Sequence, residues 1–156
     1  MKSLVCMVND DLAALLHQST VPAHSPILHG AVGVQIQNIL AILDESLTCK
    51  HLVASAFNAL RFEAAISQED TQELLTSPKA LCTLFGAMDK HMNENDIIEE
   101  GLLILLSLTC DMGCRERVRQ AMPANGLEAF DIFQARVDHG SAGHRMIKSL
   151  KQRLMI

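Results

Sequence analysis

The sequence predicts an all-α protein made of stacked helical repeats, and three observations carry that prediction. The first is self-similarity at a spacing of 45 residues. The set Val53, Ala56, Phe57, Ala59 and Leu60 recurs 45 positions on as Ile98, Gly101, Leu102, Ile104 and Leu105, then again as Gly143, Met146, Ile147, Ser149 and Leu150. Moving back by the same interval gives Val8, Asp11, Leu12, Ala14 and Leu15. The second is a companion set in the same register. Ile36, Ile39, Leu40 and Leu43 are followed by Leu81, Leu84, Phe85 and Met88, with a third copy, Leu127, Phe130, Asp131 and Gln134, one residue late. Pro78 and Pro123 also lie 45 apart. The third is local: apolar residues fall at i, i+3, i+4 and i+7, one face of a helix, and no period-2 strand pattern competes. A fixed period in the forties with helical filling marks units that bury apolar faces on their neighbours.

The elements follow in order. Asp10 or Asp11 opens a short helix through Leu12, Leu15 and Leu16, and Val21 to Pro26 is a turn, because proline removes a donor and restrains its predecessor. A helix from Ile27 or Ala31 to Leu43 is expected, interrupted near Gly30 and Gly33. Asp44-Glu45-Ser46 closes it, and a long helix spans Cys49 to Ile66. Ser67 to Asp70 caps a short helix, Thr71 to Leu75. Ser77 as N-cap and Pro78 at the first helical position open the next, through Met88. Asn95 or Asp96 is expected to cap a helix from Ile97 to Thr109, with Gly113 ending it or its tail. Arg115 to Ala121 is a short helix stopped by Pro123, and Asn125-Gly126 leads into Leu127 to Val137. His139 to Gly143 is a flexible break before a last amphipathic helix, His144 to Leu154.

Bulk composition narrows the class. The 156 residues suit one domain, or about three and a half units of this period. At 49% hydrophobic, with five Phe, eight Met and no Trp or Tyr, the chain fills its core from aliphatic side chains and Met. A net charge of −5 argues against bulk nucleic-acid binding, which needs clustered Lys and Arg. No stretch reaches the roughly 18 apolar residues of a membrane span, and Met1 to Val8 reads poorly as a signal peptide. Five cysteines, an odd number set mostly in helices, read as reduced thiols of a cytoplasmic or nuclear protein.

The pattern resembles the armadillo repeat family, with the looser HEAT repeats close behind. Arg115 to Ala121 looks like a first helix of such a repeat, Asn125 to Phe130 like a second-helix start, and Val53 to Leu60 and Ile98 to Leu108 like third helices, with Gly101 where a small Ala usually sits. The resemblance covers almost the whole chain. It implies a right-handed α-solenoid, one armadillo-like domain over residues 1–156, and a groove lined by third helices that holds a peptide or helix of a partner protein. Carried onto this chain, the outward third-helix positions are Asn58, Arg61, Phe62, Leu103 and Ser107, the expected partner-binding residues. One departure matters. The Trp slot of the family's nuclear-import adaptors holds Asn58 and Leu103, and its Asn slot holds Phe62 and Ser107. With no Trp, recognition of basic localisation peptides is not implied.

Chemistry has little foothold. Cys110 and Cys114, four apart, would share a helix face and could join His91 or His139 around zinc, but no second pair exists and Gly113 intervenes. No phosphate loop, zinc-protease motif, dinucleotide fingerprint or nucleophile elbow occurs. Asp10-Asp11 and Glu99-Glu100 read as a helix start and a solvated face, and the seven His as surface residues, several near loops (His24, His29, His139). No enzyme activity, metal or cofactor is expected. Two charge features stand out: an acidic edge from Asp89 to Glu100, and basic residues Arg115, Arg117, Arg119, Arg145, Lys148, Lys151 and Arg153, read as solvated faces or as docking surfaces. The start inside a third-helix pattern and the apolar finish Leu154-Met155-Ile156 suggest a piece of a longer repeat protein, or ends covered by a partner or second copy. The expectation is therefore a non-catalytic interaction scaffold. A compact helical bundle that homodimerises through its apolar ends is the alternative, and a hydrolase with a Cys nucleophile is a third.

Overall fold

The computed structural model describes residues 26–65 and 69–154. The expected helix opening at Asp10 or Asp11, the turn from Val21 to Ser25, the cap at Ser67-Gln68 and the Met155-Ile156 finish lie outside those residues. Within them the chain is all-α: eight helices follow one another and no strand occurs. They are α1 (Pro26–Glu45), α2 (Lys50–Ala65), α3 (Glu69–Leu75), α4 (Pro78–Lys90), α5 (Asn95–Leu108), α6 (Met112–Ala121), α7 (Gly126–Arg136) and α8 (Ala142–Leu154).

Local chemistry explains most of the boundaries. Ser77, at φ −66° and ψ 149°, accepts the Ala80 N–H on its hydroxyl, and Pro78 takes the first helical position where no donor is needed. The same hydroxyl donates to the Leu74 carbonyl at 2.8 Å, so one side chain closes α3 and opens α4. Asp111 caps α6 by accepting the Cys114 N–H at 3.0 Å. That bond, the strongest influence on it, holds the Asp111 carboxyl below its ordinary pKa. The C-terminus of α5 is closed by cations, the favourable sign there. Arg153 donates to the Leu106 carbonyl at 2.9 Å, and Arg115 to the Thr109 carbonyl at 3.3 Å.

Packing assembles three helix hairpins, α1–α2, α4–α5 and α7–α8, joined by the short α3 and α6. The dominant contact sets α2 against α5, and α5 packs in turn against α8. Lys50, at the start of α2, pairs with Glu94 at the start of α5, and Arg61 further along pairs with Glu100. Arg153 near the end of α8 reaches Leu106 near the end of α5. The three helices therefore lie side by side and parallel. On their far side α4 packs against both α1 and α7, and Phe85 meets Phe130 edge to face with centroids 5.6 Å apart. Hydrogen bonds tie each hairpin to the next, and α3 to α6, at a nearly constant sequence separation. His91 Nε2 to the Leu47 carbonyl spans 44 residues at 2.6 Å, Arg136 to Asn93 Oδ1 spans 43 at 2.8 Å, and the Cys114 thiol to Gln72 Oε1 spans 42 at 3.0 Å.

The core follows the 45-residue register. Val53, Phe57 and Leu60 are buried, as are Ile98, Leu102 and Leu105, then Ile147 and Leu150. Each such side chain contributes about 1.5–3 kcal/mol by leaving water. The companion set is buried through Ile36, Ile39, Leu40 and Leu43 and through Leu81, Leu84, Phe85 and Met88.

Four expectations are corrected. In α7 the buried residues are Gly126, Phe130 and Phe133, with Leu127 44% exposed, so the third copy keeps the interval and does not slip by one residue. Met122 fills the space: a Cβ on Gly126 would lie 2.5 Å from its Cγ. Helix α1 runs unbroken through Gly30 and Gly33, because Ile36, Ile39 and Leu43 continue one buried face. Gly113 sits inside α6, not at the end of α5; the break falls at Thr109 to Asp111. Helix α5 is not capped by Asn95 or Asp96. Glu94 takes the extended cap conformation without a side-chain cap bond and reaches Lys50 instead, while Asp96 sits in the first turn where its charge suits the helix dipole.

Two glycines separate propensity from packing. A Cβ on Gly101 would stand 2.6 Å from Met88 Sδ and 3.0 Å from the Phe57 ring, whereas one on Gly86 would meet nothing within 4 Å. Both Met88 and Phe57 are fully enclosed and cannot withdraw. Gly101→Ala should therefore destabilise by about 1–2 kcal/mol despite better helix propensity, and Gly86→Ala should stabilise by about 0.5–1 kcal/mol. Urea titrations of the two variants read both signs.

Glu63 is only 6% exposed, in the slot that Leu108 fills one unit later. Burial alone raises its pKa above 4.5. A carboxyl held more protonated in the folded state contributes less stability as pH rises from the unfolded value through the folded one. Glu63→Gln should match the wild type near pH 4 and melt about 2–4 °C higher at pH 7, the shift expected for roughly 1 kcal/mol in a chain of this size. Thermal melts across that range would show no divergence if burial were not the cause.

Candidate functional site

Helices α2, α5 and α8 each turn one stripe into the core and leave the other outward. On α2 the inward stripe is Val53, Ala56, Phe57, Leu60 and Ala64. The outward one holds Asn58, Arg61 and Phe62, three of the five residues expected to bind a partner. They touch one another. Arg61 donates to Asn58 Oδ1 at 3.1 Å, its guanidinium lies 4.9 Å from the centroid of the Phe62 ring, and its Nε stands 2.7 Å from Glu100 Oε2 on α5. A cation over a ring face and beside a carboxylate holds the side chain in place. Phe62 itself is 58% exposed. Leu103 and Ser107 stand half-buried on the outward side of α5, one helix over. None of the five belongs to the core.

Residues that sequence reasoning left out of this face are Glu100, Leu106, Lys148 and Lys151. The interval itself points to three of them: 45 residues after Arg61 comes Leu106 and then Lys151, and two intervals after Asn58 comes Lys148. Glu100 carried no such signal, since an ion pair between helices depends on their lateral offset.

The two charge features prove to be largely used within the fold. In the acidic edge, Glu94 and Glu100 are paired with Lys50 and Arg61. Of the basic residues, Arg115 and Arg153 close α5, Arg117 donates to Cys114 Sγ, and Arg119 pairs with Glu116. Arg145 donates to the Gly140 carbonyl, and Lys151 joins Asp131 and Gln134. Gly140, at φ +83°, makes the turn ahead of α8 in the left-handed region that favours glycine.

Cys110 and Cys114 do not share a helix face. Cys110 is exposed with its thiol toward the Leu106 carbonyl, and Cys114 is buried against Gln72. Among the described residues no three His, Cys, Asp or Glu side chains are placed to hold a metal, and Cys49, Cys82, Cys110 and Cys114 are free thiols. The surface reading of the histidines is corrected for two of them. His91 is half-buried and bonded across to Leu47, and His144 is half-buried with its ring 4.8 Å from that of His139. No described helix is long and apolar enough to cross a membrane.

Comparison with protein-family models, with curated proteins and with solved structures returned no match.

Exposure separates the two apolar residues of this face in a measurable way. Phe62→Glu should change stability by no more than about 0.5 kcal/mol, as for other open surface sites. Leu103→Glu should cost about 1–2 kcal/mol, because Leu103 is half-buried and a carboxylate there loses part of its hydration. Chemical denaturation of each variant distinguishes the two.

Proposed function

We propose that this chain is an armadillo-like α-solenoid acting as a non-catalytic protein-interaction scaffold in the cytoplasm or nucleus. A peptide or helix of a partner lies across the outward face of α2, α5 and α8, and Asn58, Arg61, Phe62, Leu103 and Ser107 contact it. The observation that carries the reading is Phe62. A large aromatic ring, 58% exposed and held by Arg61, stands on a rigid helix in a chain with only five aromatic residues. Side chains of this kind anchor interfaces because they bring apolar area at little entropic cost. Three parallel helices, together with hydrogen bonds between elements 42 to 47 residues apart in sequence, support the repeat architecture. The free thiols suit a reducing compartment.

Affinity capture followed by mass spectrometry, run in parallel on wild type and Phe62→Glu, tests the reading. Partners that come down with wild type and fall at least tenfold with a fully helical variant are the expected outcome. An unchanged partner set would remove this face from recognition.

A further inference from the structure

We infer that the occupant of this face is an acidic segment of another protein carrying an apolar anchor, a conclusion that rests on the docking reading above. Across the three parallel helices, equivalent outward positions are 58, 61 and 62 on α2, 103, 106 and 107 on α5, and 148, 151 and 152 on α8. None of the nine is buried, and none is a carboxylate, in a chain with 18 acidic against 13 basic residues. The middle of the face is apolar, through Leu103 and Leu106, and Phe62 borders it on α2. The α8 border carries Lys148 and Lys151. Arg61 and Lys151 are balanced by Glu100 and Asp131. Lys148 is exposed, and no carboxylate pairs with it among the described residues. Of the remaining acids of α5, Asp96 lies in its first turn, and Glu99, one turn before Leu103, lies near Gly143 at the start of α8.

This asymmetry orients the occupant. An aliphatic or aromatic side chain sits over Phe62 and Leu103, and a carboxylate follows over Lys148, where pairing restores the charge balance that the fold leaves open. Packed helices stand about 8–10 Å apart, and an extended chain advances about 3.3 Å per residue. The carboxylate therefore lies roughly three residues from an anchor over α5, and roughly six from one over α2.

Selection from a displayed library of random 12-residue peptides, on wild type, Phe62→Glu and Lys148→Glu, tests the assignment. Both substitutions are at exposed positions, and circular dichroism checks that the helices persist. Wild type should enrich peptides bearing a carboxylate about three to six residues from an apolar side chain. A synthetic peptide from that pool should bind Lys148→Glu at least tenfold more weakly in fluorescence anisotropy. Enriched peptides that depend on Phe62 but carry no acidic bias, or that ignore Lys148→Glu, overturn the inference and leave the docking face standing. Peptides indifferent to Phe62→Glu, or no enrichment at all, overturn the inference and count against the face itself.

Discussion

The structure depends on how closely α5 can approach α2. At the crossing stands Gly101, with the Phe57 ring on one side and Met88 on the other, both fully enclosed. A side chain there would wedge apart the contact on which the largest share of the packing rests. The equivalent slots hold Ala56 and Met146, so only the middle helix, flanked on both sides, gives up its side chain completely. Close packing at that point lets the Phe57, Leu102 and Leu105 side chains interlock, and dispersion contacts of this kind fail steeply with distance. The parallel arrangement of α2, α5 and α8, and with it the outward face, follows from that one approach.

Polar groups have a second role, fixing lateral offset. The apolar stripes alone would tolerate sliding of one helix along the next, since Leu and Ile present similar surfaces at each turn. Arg61 with Glu100, His91 with Leu47 and Arg153 with the last carbonyls of α5 each select one offset. Individually these contacts are modest. Their contribution is specificity of alignment, while other contacts of the fold engage Arg115, Arg117, Arg119, Arg145 and Lys151. On the outward face Lys148 stands out, because among the described residues no carboxylate pairs with it.

Much of this was legible in the sequence, and the failures are instructive. The α2 and α5 stripes could be read because Val53, Phe57 and Leu60, and Ile98, Leu102 and Leu105, put large apolar side chains at the recurring inward slots. The α7 register could not, because two inward slots hold Gly126 and Ala129, and the visible apolar signal passed to the exposed Leu127. Phe133 was lost with it. Gly33 and Gly113 read as breaks because glycine is a poor helix former in isolation; the buried stripe Ile36, Ile39, Leu40 and Leu43 and the Asp111 cap override that preference. On the outward face, Asn58, Arg61, Phe62, Leu103 and Ser107 were placed by the resemblance to the armadillo pattern, not by composition or spacing. The cross-helix partner Glu100 was not, since no periodicity encodes the lateral offset between two helices.

The near-constant reach of the ties between hairpins has a consequence for how such a chain can change length. A residue inserted early in α5 would rotate everything beyond it by about 100° about the helix axis, moving Leu105 to the outward slot of Leu106 and Ser107 into the buried slot of Leu108. The connecting turns offer limited relief, because His91 and Glu94 fasten the α4–α5 turn to the preceding hairpin. Only a change that completes whole helical turns returns the buried stripe of α5 to the core. Length in this architecture is quantised, and single-residue drift is the change it resists most.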